Sequence, residues 1–226
     1  MSEVKPNVKN CSRYTVAVGG AKCGQTVTLD SLIDGNAKKY AMRIGKTDGL
    51  RQNHVETFLK KKKCTTLTVE ALLDVDARDT FTNLIVNVIE KQQHVGKHVH
   101  QETRSFFEVP QALRKHVSTV IVFKSANEDE RRRIYRYFAN QFFTKREDFD
   151  EVVNSLNGYD CLLMDLNAER GNKAEIYNAK DGGVKRELAI GNIVKVEKEG
   201  EKPVSQDESD KKPIGYKKWF WSLLGY

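Results

Sequence analysis

The chain has 226 residues, of which 39% are hydrophobic and 31% are charged. This length fits one domain of roughly 100–200 residues followed by a tail. The sequence has no run near the ~18 apolar residues that cross a bilayer, so we expect no transmembrane segment. Lys and Arg number 38 against 31 Asp and Glu, giving a net charge of +7. This excess favours a polyanionic partner, nucleic acid above all, or an anionic membrane surface.

The four cysteines predict a reducing compartment. Cys11, Cys23, Cys64 and Cys161 include no C-x-x-C pair, so a disulfide framework is not expected in a chain of this size. The N-terminal sequence lacks the apolar stretch of a signal peptide. We therefore expect a protein that is made and used inside cells, or carried inside a particle assembled there.

Strand-like and helical segments alternate along the chain. The predicted strands, in chain order, are residues 13–18, 41–44, 67–73, 97–101, 119–123, 159–166 and 174–177. The predicted helices cover residues 25–33, 55–59, 81–89 and 127–143. This alternation predicts a three-layer α/β domain over residues 1–194, with a mostly parallel central sheet.

The glycine-rich segment after the first strand resembles a phosphate-binding loop. Residues 19–26 match the pattern G-x-x-x-x-G-K-[ST], except that Gln25 stands where lysine belongs. In such a loop, backbone N–H groups and the start of the following helix face a phosphate. The candidate phosphate ligands are Gly19, Gly20, Lys22, Gly24 and Gln25, and the Thr26 hydroxyl is a candidate Mg²⁺ ligand. A glycine-rich turn that binds nothing is the alternative.

A second candidate lies at the end of the predicted strand 67–73. The sequence Leu-Leu-Asp-Val-Asp places Asp74 where a P-loop ATPase holds Mg²⁺, with Asp76 as the candidate general base. Val75 separates the two carboxylates. It holds the position directly after Asp74, where the second acid is expected. One step along a strand reverses the side-chain direction, so Asp76 can act as the general base only if the backbone bends there.

Other features carry weaker indications. His94, His98 and His100 lack a cysteine or carboxylate that would complete a zinc site. The basic runs 60–63 and 131–133 can contact phosphates, although such runs are more often solvated surface. From about residue 195 the composition predicts a disordered linker, which ends in an aromatic tail at residues 217–226. The tail can fold back on the domain, enter a groove of a partner such as a capsid protein, or rest on a membrane.

The order of these elements resembles the poxvirus-type genome-packaging ATPases, which are FtsK/HerA-like P-loop proteins of large DNA viruses. The resemblance rests on residues 19–26, the strand closing at Asp74, Gln101, and the segment 109–114 before the strand 119–123. It implies that Gln101 senses the γ-phosphate and that Arg114 reaches a neighbouring subunit's nucleotide. Departures from the family pattern occur at Gln25, Val75 and His116.

The resemblance implies a viral protein that couples ATP and Mg²⁺ to the translocation of double-stranded DNA, working as a homo-oligomeric ring in a virus factory or virion. Catalytic candidates are Asp74, Asp76, Gln101 and Arg114. Because Gln25 removes a positive charge, we expect ATP hydrolysis to be weak or absent. The alternatives are an inactive virion or assembly protein that binds DNA or capsid, and a cellular nucleotide-binding protein unrelated to packaging.

Overall fold

The computed structural model describes residues 12–33, 38–45, 48–70, 75–91, 94, 96–166, 173–181 and 183–188. Within these ranges the strands are β1 (Arg13–Val18), β2 (Met42–Ile44), β3 (Thr66–Glu70), β4 (His98–Thr103), β5 (Thr119–Val122), β6 (Asp160–Asp165), β7 (Lys173–Asn178) and β8 (Gly183–Leu188). The α-helices are α1 (Gln25–Leu32), α2 (Gln52–Lys60), α3 (Val75–Ile85), α4 (Glu128–Tyr137) and α5 (Arg146–Ser155). A π-helical turn, Val86–Glu90, extends α3, and 3-10 turns cover Phe106–Glu108, Gln111–His116 and Ala139–Gln141.

The strands form one sheet in the order β2-β3-β4-β1-β5-β6-β7-β8. The pairs from β2 to β5 are parallel, and those from β5 to β8 are antiparallel. The expected α/β fold with a mostly parallel sheet is thus confirmed. Strand β1 lies at the centre, and β4 separates it from β3, so the turns after all three strands meet at one edge.

Alternate residues of β1 pack into two separate cores. Tyr14, Val16 and Val18 belong to a large cluster that includes Phe81 of α3 and Ile134 of α4. Ala17, between them, belongs to a smaller cluster with Leu29 of α1. Because successive strand residues face opposite sides of a sheet, α1 covers one face, while α3 and α4 cover the other.

The predicted helix over residues 127–143 is shorter than expected. Asn127 caps α4 by accepting a hydrogen bond from the Glu130 N–H at 2.9 Å, as predicted for this residue type. The helix ends at Tyr137, because Phe138 leaves helical geometry with φ −134° and ψ −51°. This bend buries the Phe138 side chain, which is only 4% exposed.

Lys97, just before β4, binds the end of α2. Its ammonium group donates to the carbonyl oxygens of Phe58 at 2.9 Å and Lys61 at 2.8 Å, and also to that of Cys64. The Nζ atom lies 4.7 Å from the centroid of the Phe58 ring. Burial lowers the pKa of Lys97. A single buried side chain thereby satisfies carbonyl groups that the helix end would leave unpaired.

Candidate functional site

The turn between β1 and α1 carries the glycines of the predicted phosphate-binding loop. Gly24 precedes the first helical residue with φ 100°, a left-handed conformation that glycine adopts readily. At Gly19 a Cβ atom would lie 2.6 Å from Cys23 Sγ and 3.0 Å from Phe123 Cβ, so a larger residue does not fit there. The Gly20 N–H donates to Ser125 Oγ at 2.7 Å, which ties the loop to the turn after β5.

Gln25 occupies the position of the lysine with an amide that is already hydrogen-bonded. Its Nε2 donates to the carbonyl oxygens of Ala17 at 2.9 Å and Thr103 at 2.7 Å. These carbonyls belong to the neighbouring strands β1 and β4. The side chain therefore points back to the sheet edge and closes the gap between two strands. It supplies no positive charge to the loop.

Thr26 is linked to Arg43 through polar contacts with Glu102. The Thr26 hydroxyl donates to Glu102 Oε2 at 2.9 Å. The other carboxylate oxygen of Glu102 accepts from Arg43 at 2.9 Å. Arg43 also pairs with Asp30 at 2.8 Å and with Glu70 at 3.4 Å. This arginine cluster joins α1, β2, β3 and β4 beside the loop.

At both Glu102 and Arg43, burial and the neighbouring charges of opposite sign shift the pKa in opposite directions. Burial raises the pKa of Glu102, and the Thr26 hydrogen bond and the Arg43 charge only partly offset that effect. Burial lowers the pKa of Arg43, but the carboxylates of Glu102, Asp30 and Glu70 outweigh it, so the net pKa shift is upward. Arg43 is thus held charged by the carboxylates around it.

The arginine cluster does not fit Mg²⁺ as it is arranged. Mg²⁺ requires oxygen ligands at about 2.0–2.1 Å in octahedral geometry. Here the Thr26 hydroxyl and the Glu102 carboxylate bind each other, and the Arg43 guanidinium takes the place a cation would need. In the described ranges, no group of three or more His, Cys, Asp or Glu side chains has the geometry to hold a metal ion.

Gln101 lies on the opposite side of β4 from the loop. Its side chain is fully buried in the larger core, where Oε1 accepts from the Tyr14 hydroxyl and Nε2 donates to the Glu108 carbonyl at 3.4 Å. Burial raises the pKa of Tyr14, so its hydroxyl remains a donor. The structure does not bring Gln101 to the loop, and Glu102 faces the loop in its place.

The other predicted site residues have different surroundings. Asp74 lies outside the described residues. Asp76 lies in the exposed first turn of α3, not on a strand, in a position that the helix dipole favours for an acidic residue. Lys22 is exposed at the tip of the loop with φ 62°. Arg114 stacks on Phe106, with its guanidinium carbon 4.8 Å from the ring centroid.

Sequence reasoning missed Arg43, Glu70 and Glu102. Glu70 ends β3 and pairs in register with Glu102 on β4. The available signal was strand alternation, which predicts that Glu102 faces away from Gln101 and toward the side of Ala17. Arg43 gave no signal, because its three partners lie on separate elements.

Comparison with solved structures finds proteins of similar fold. The DNA-packaging ATPase B204 of Sulfolobus turreted icosahedral virus matches with a TM-score of 0.50 at 13% identity, over 74% of this chain and 97% of that protein. The genome-packaging NTPase B204 of Sulfolobus turreted icosahedral virus 2 matches in complex with sulfate, with a TM-score of 0.50 at 15% identity, over 76% of this chain and 97% of that one.

The chain shares their fold. A third structure, the same virus 2 protein in complex with ATP-gammaS, gives a TM-score of 0.50 at 14% identity, over 76% of this chain and 98% of that one. No protein-family model matches the sequence, and no curated protein does. In the part of the chain that the structure describes, no helix is long and apolar enough to cross a membrane.

Proposed function

We propose that this chain is a P-loop nucleotide-binding protein of viral genome packaging, with weak or no ATP hydrolysis. The observation that carries the proposal is the turn of Gly19 to Gly24 between β1 and α1, at the edge where parallel strands end. The N-cap residue of α1 is Gly24, which has no side chain to accept a hydrogen bond from the N–H groups of the first turn, so an anion can take that place.

The proposal of weak hydrolysis rests on where positive charge is missing. Phosphoryl transfer depends on cations that stabilise charge on the terminal phosphates. Gln25 supplies none, and its amide donors are taken by Ala17 and Thr103. The Arg43 guanidinium is held by three carboxylates. Lys22, exposed at the loop tip, is the remaining cation of the loop.

The test is nucleotide binding by the purified full chain and by Gln25→Lys. A lysine in this position adds a charge-assisted contact, so we expect ADP affinity to rise about tenfold. Calorimetric titration measures it, and the release of phosphate from ATP measures turnover. Gln52→Lys is the matched control, because Gln52 is likewise the first residue of a helix. Equal affinities for wild type and Gln25→Lys would show that the loop is not a phosphate site.

The wider role is proposed from the same fold and from the net charge of +7. In this proposal the protein binds double-stranded DNA, assembles as a ring, and works in a virus factory or virion. The poxvirus-type assignment remains part of the proposal. The second candidate is an assembly protein that kept the fold without turnover, which the hydrogen-bonded Gln25 favours. The proposed capsid attachment through the tail concerns residues outside the described ranges.

A further inference from the structure

The three arginines of the run 131–133 have different surroundings. Arg131 pairs with Asp150 at 3.0 Å, and Arg132 pairs with Asp129 at 2.5 Å. Arg133 instead lies over the ring of Phe107, with its guanidinium carbon 3.3 Å from the ring centroid. Among the described residues, Arg133 forms no salt bridge. One guanidinium of this run is therefore not neutralised by an acidic partner.

Phe107 is exposed on a turn that is fixed by hydrogen bonds to a buried carboxylate. It is 56% exposed, although burying a phenyl ring is strongly favourable. The Phe106–Glu108 turn that carries it is fixed by Glu130, whose carboxylate accepts from the Ser105 hydroxyl at 2.8 Å and the Phe106 N–H at 2.6 Å. Because the Glu130 carboxylate is buried and fixes the turn, the Phe107 ring remains exposed to solvent.

A second aromatic–arginine pair lies next to the first. Tyr137 is 46% exposed and stands one helical turn after Arg133 on α4. The Arg114 guanidinium lies 5.1 Å from the Tyr137 ring centroid and donates to the Val109 carbonyl at 3.3 Å. Because Arg133 and Tyr137 lie four residues apart on the same face of α4, the two pairs form one surface. We call Phe107, Arg114, Arg133 and Tyr137 the arginine–aromatic surface.

We propose that the arginine–aromatic surface binds single-stranded nucleic acid. Guanidinium groups contact phosphates or stack on bases, and exposed aromatic rings stack on unpaired bases, whose faces are hidden in a duplex. Two acidic side chains nearby are already engaged: Glu130 holds the turn, and Glu108 accepts from the Thr103 hydroxyl at 2.6 Å. The surface therefore matches a polyanion with open base faces. The proposal is independent of nucleotide binding at the loop.

The experiment compares the full chain with Phe107→Ala and Arg133→Gln in fluorescence anisotropy, with a labelled single-stranded DNA and its duplex as probes and no nucleotide added. We expect tighter binding of the single strand, and a loss of about 5- to 150-fold for Phe107→Ala, the range for one stacked base. Arg133→Gln should lower the slope of log affinity against log salt by about 0.7. Both side chains are at the surface, and unchanged thermal midpoints will confirm folding.

Lys62→Gln is the matched control, since it removes one exposed charge from the other basic run. It should change single-strand affinity by less than twofold. An unchanged affinity in Phe107→Ala, or an equal loss in Lys62→Gln, would overturn the proposal. So would a loss of duplex affinity in Phe107→Ala as large as its loss of single-strand affinity. A change of sedimentation in Phe107→Ala without a change in DNA affinity would assign the surface to contact between copies of the chain.

Discussion

Strand β4 separates two polar regions that are built in opposite ways. On the α1 side, Glu102 joins Thr26 to Arg43 in a cluster that remains partly open to solvent. On the other side, Gln101 is fully buried and bonds the Tyr14 hydroxyl and the Glu108 carbonyl. The first region consists of charges at the edge of the candidate phosphate loop. The second consists of neutral groups inside the core.

The difference shows how adjacent residues of one strand, Gln101 and Glu102, can contact the two opposite sides of the sheet. Through Glu108, Gln101 supports the turn that presents Phe107, while its neighbour Glu102 contacts the residue that follows the loop. A neutral amide suits the core, because an ionised group there would cost several kcal/mol to desolvate. The expected role of Gln101 at the γ-phosphate and its observed place in the core lead to different experimental outcomes.

The largest effect is expected for Gln101→Ala. The substitution leaves the Tyr14 hydroxyl unpaired and opens a cavity in the core, so we expect a loss of about 3 kcal/mol in the free energy of unfolding. Urea denaturation measures it. Nucleotide affinity should change little, because the side chain does not reach the loop.

Glu102→Gln provides the comparison on the other face of β4. An amide oxygen can still accept from Thr26, but Arg43 loses one of its three carboxylate partners, so we expect a loss of about 1–2 kcal/mol in the free energy of unfolding. Stability that is unchanged in Gln101→Ala, together with a fall in nucleotide affinity, would restore the γ-phosphate role for Gln101 and contradict the contrast between the two faces.

His100 is expected to give the next effect, as a dependence of stability on pH. It lies on β4 on the same side as Glu102, and burial, then His98 and Arg43, lower its pKa from 6.5 to about 3. Its Nδ1 has no hydrogen-bond partner among the described residues. Between these two pH values the unfolded chain binds a proton that the folded chain does not. The free energy of unfolding should therefore fall by up to ~1.4 kcal/mol per pH unit on acidification.

His100→Gln should remove this contribution, and the difference between variant and wild type isolates it from other acid-labile groups. The raised pKa of Glu102 acts with the opposite sign, since it favours the folded state at lower pH. Glu102 is present in both proteins and so cancels in the difference. His54→Gln on α2 is the matched control. Parallel pH profiles for wild type and His100→Gln would contradict the prediction.

The smallest effect is expected for Gln25, at the loop itself. Gln25→Glu keeps the size of the side chain but removes both donors from the carbonyls of Ala17 and Thr103. We expect a loss of about 1 kcal/mol at neutral pH, because water can replace part of the contact at this half-buried position. Thermal denaturation measures it. A variant as stable as the wild type would show that Gln25 does not join β1 to β4.

The sequence predicted the elements that follow simple periodicity. β1, the loop and α1 appear where the pattern indicates, and β5 is an uninterrupted apolar run, typical of a buried strand. The helix α5 was missed, although Phe149, Val152 and Val153 have helical spacing and are buried. β8 gave no usable signal, because it is mostly exposed and Val184 is 46% accessible.

The site was less predictable than the fold. Loop residues are consecutive in sequence, so a pattern can find Gly19 to Thr26. The arginine cluster is assembled from Asp30, Arg43, Glu70 and Glu102, which meet only once four elements are in place. The strand predicted to end at Asp74 is described as far as Glu70, residues 71–74 lie outside the described ranges, and Asp76 lies on a helix. No spacing rule places one strand beside another, and that placement decides which carboxylates share a site.

The contacts of Lys97 have a consequence for chemical labelling. Its amine is hidden behind three carbonyls and is only 7% exposed, whereas Lys60 to Lys63, nearby in the fold, lie at the surface. An acylating reagent will therefore modify the run and spare Lys97 for as long as α2 remains docked on the sheet. Mass spectrometry of one tryptic digest can then report the undocking of a single helix, with neighbouring lysines as the internal standard for reagent dose.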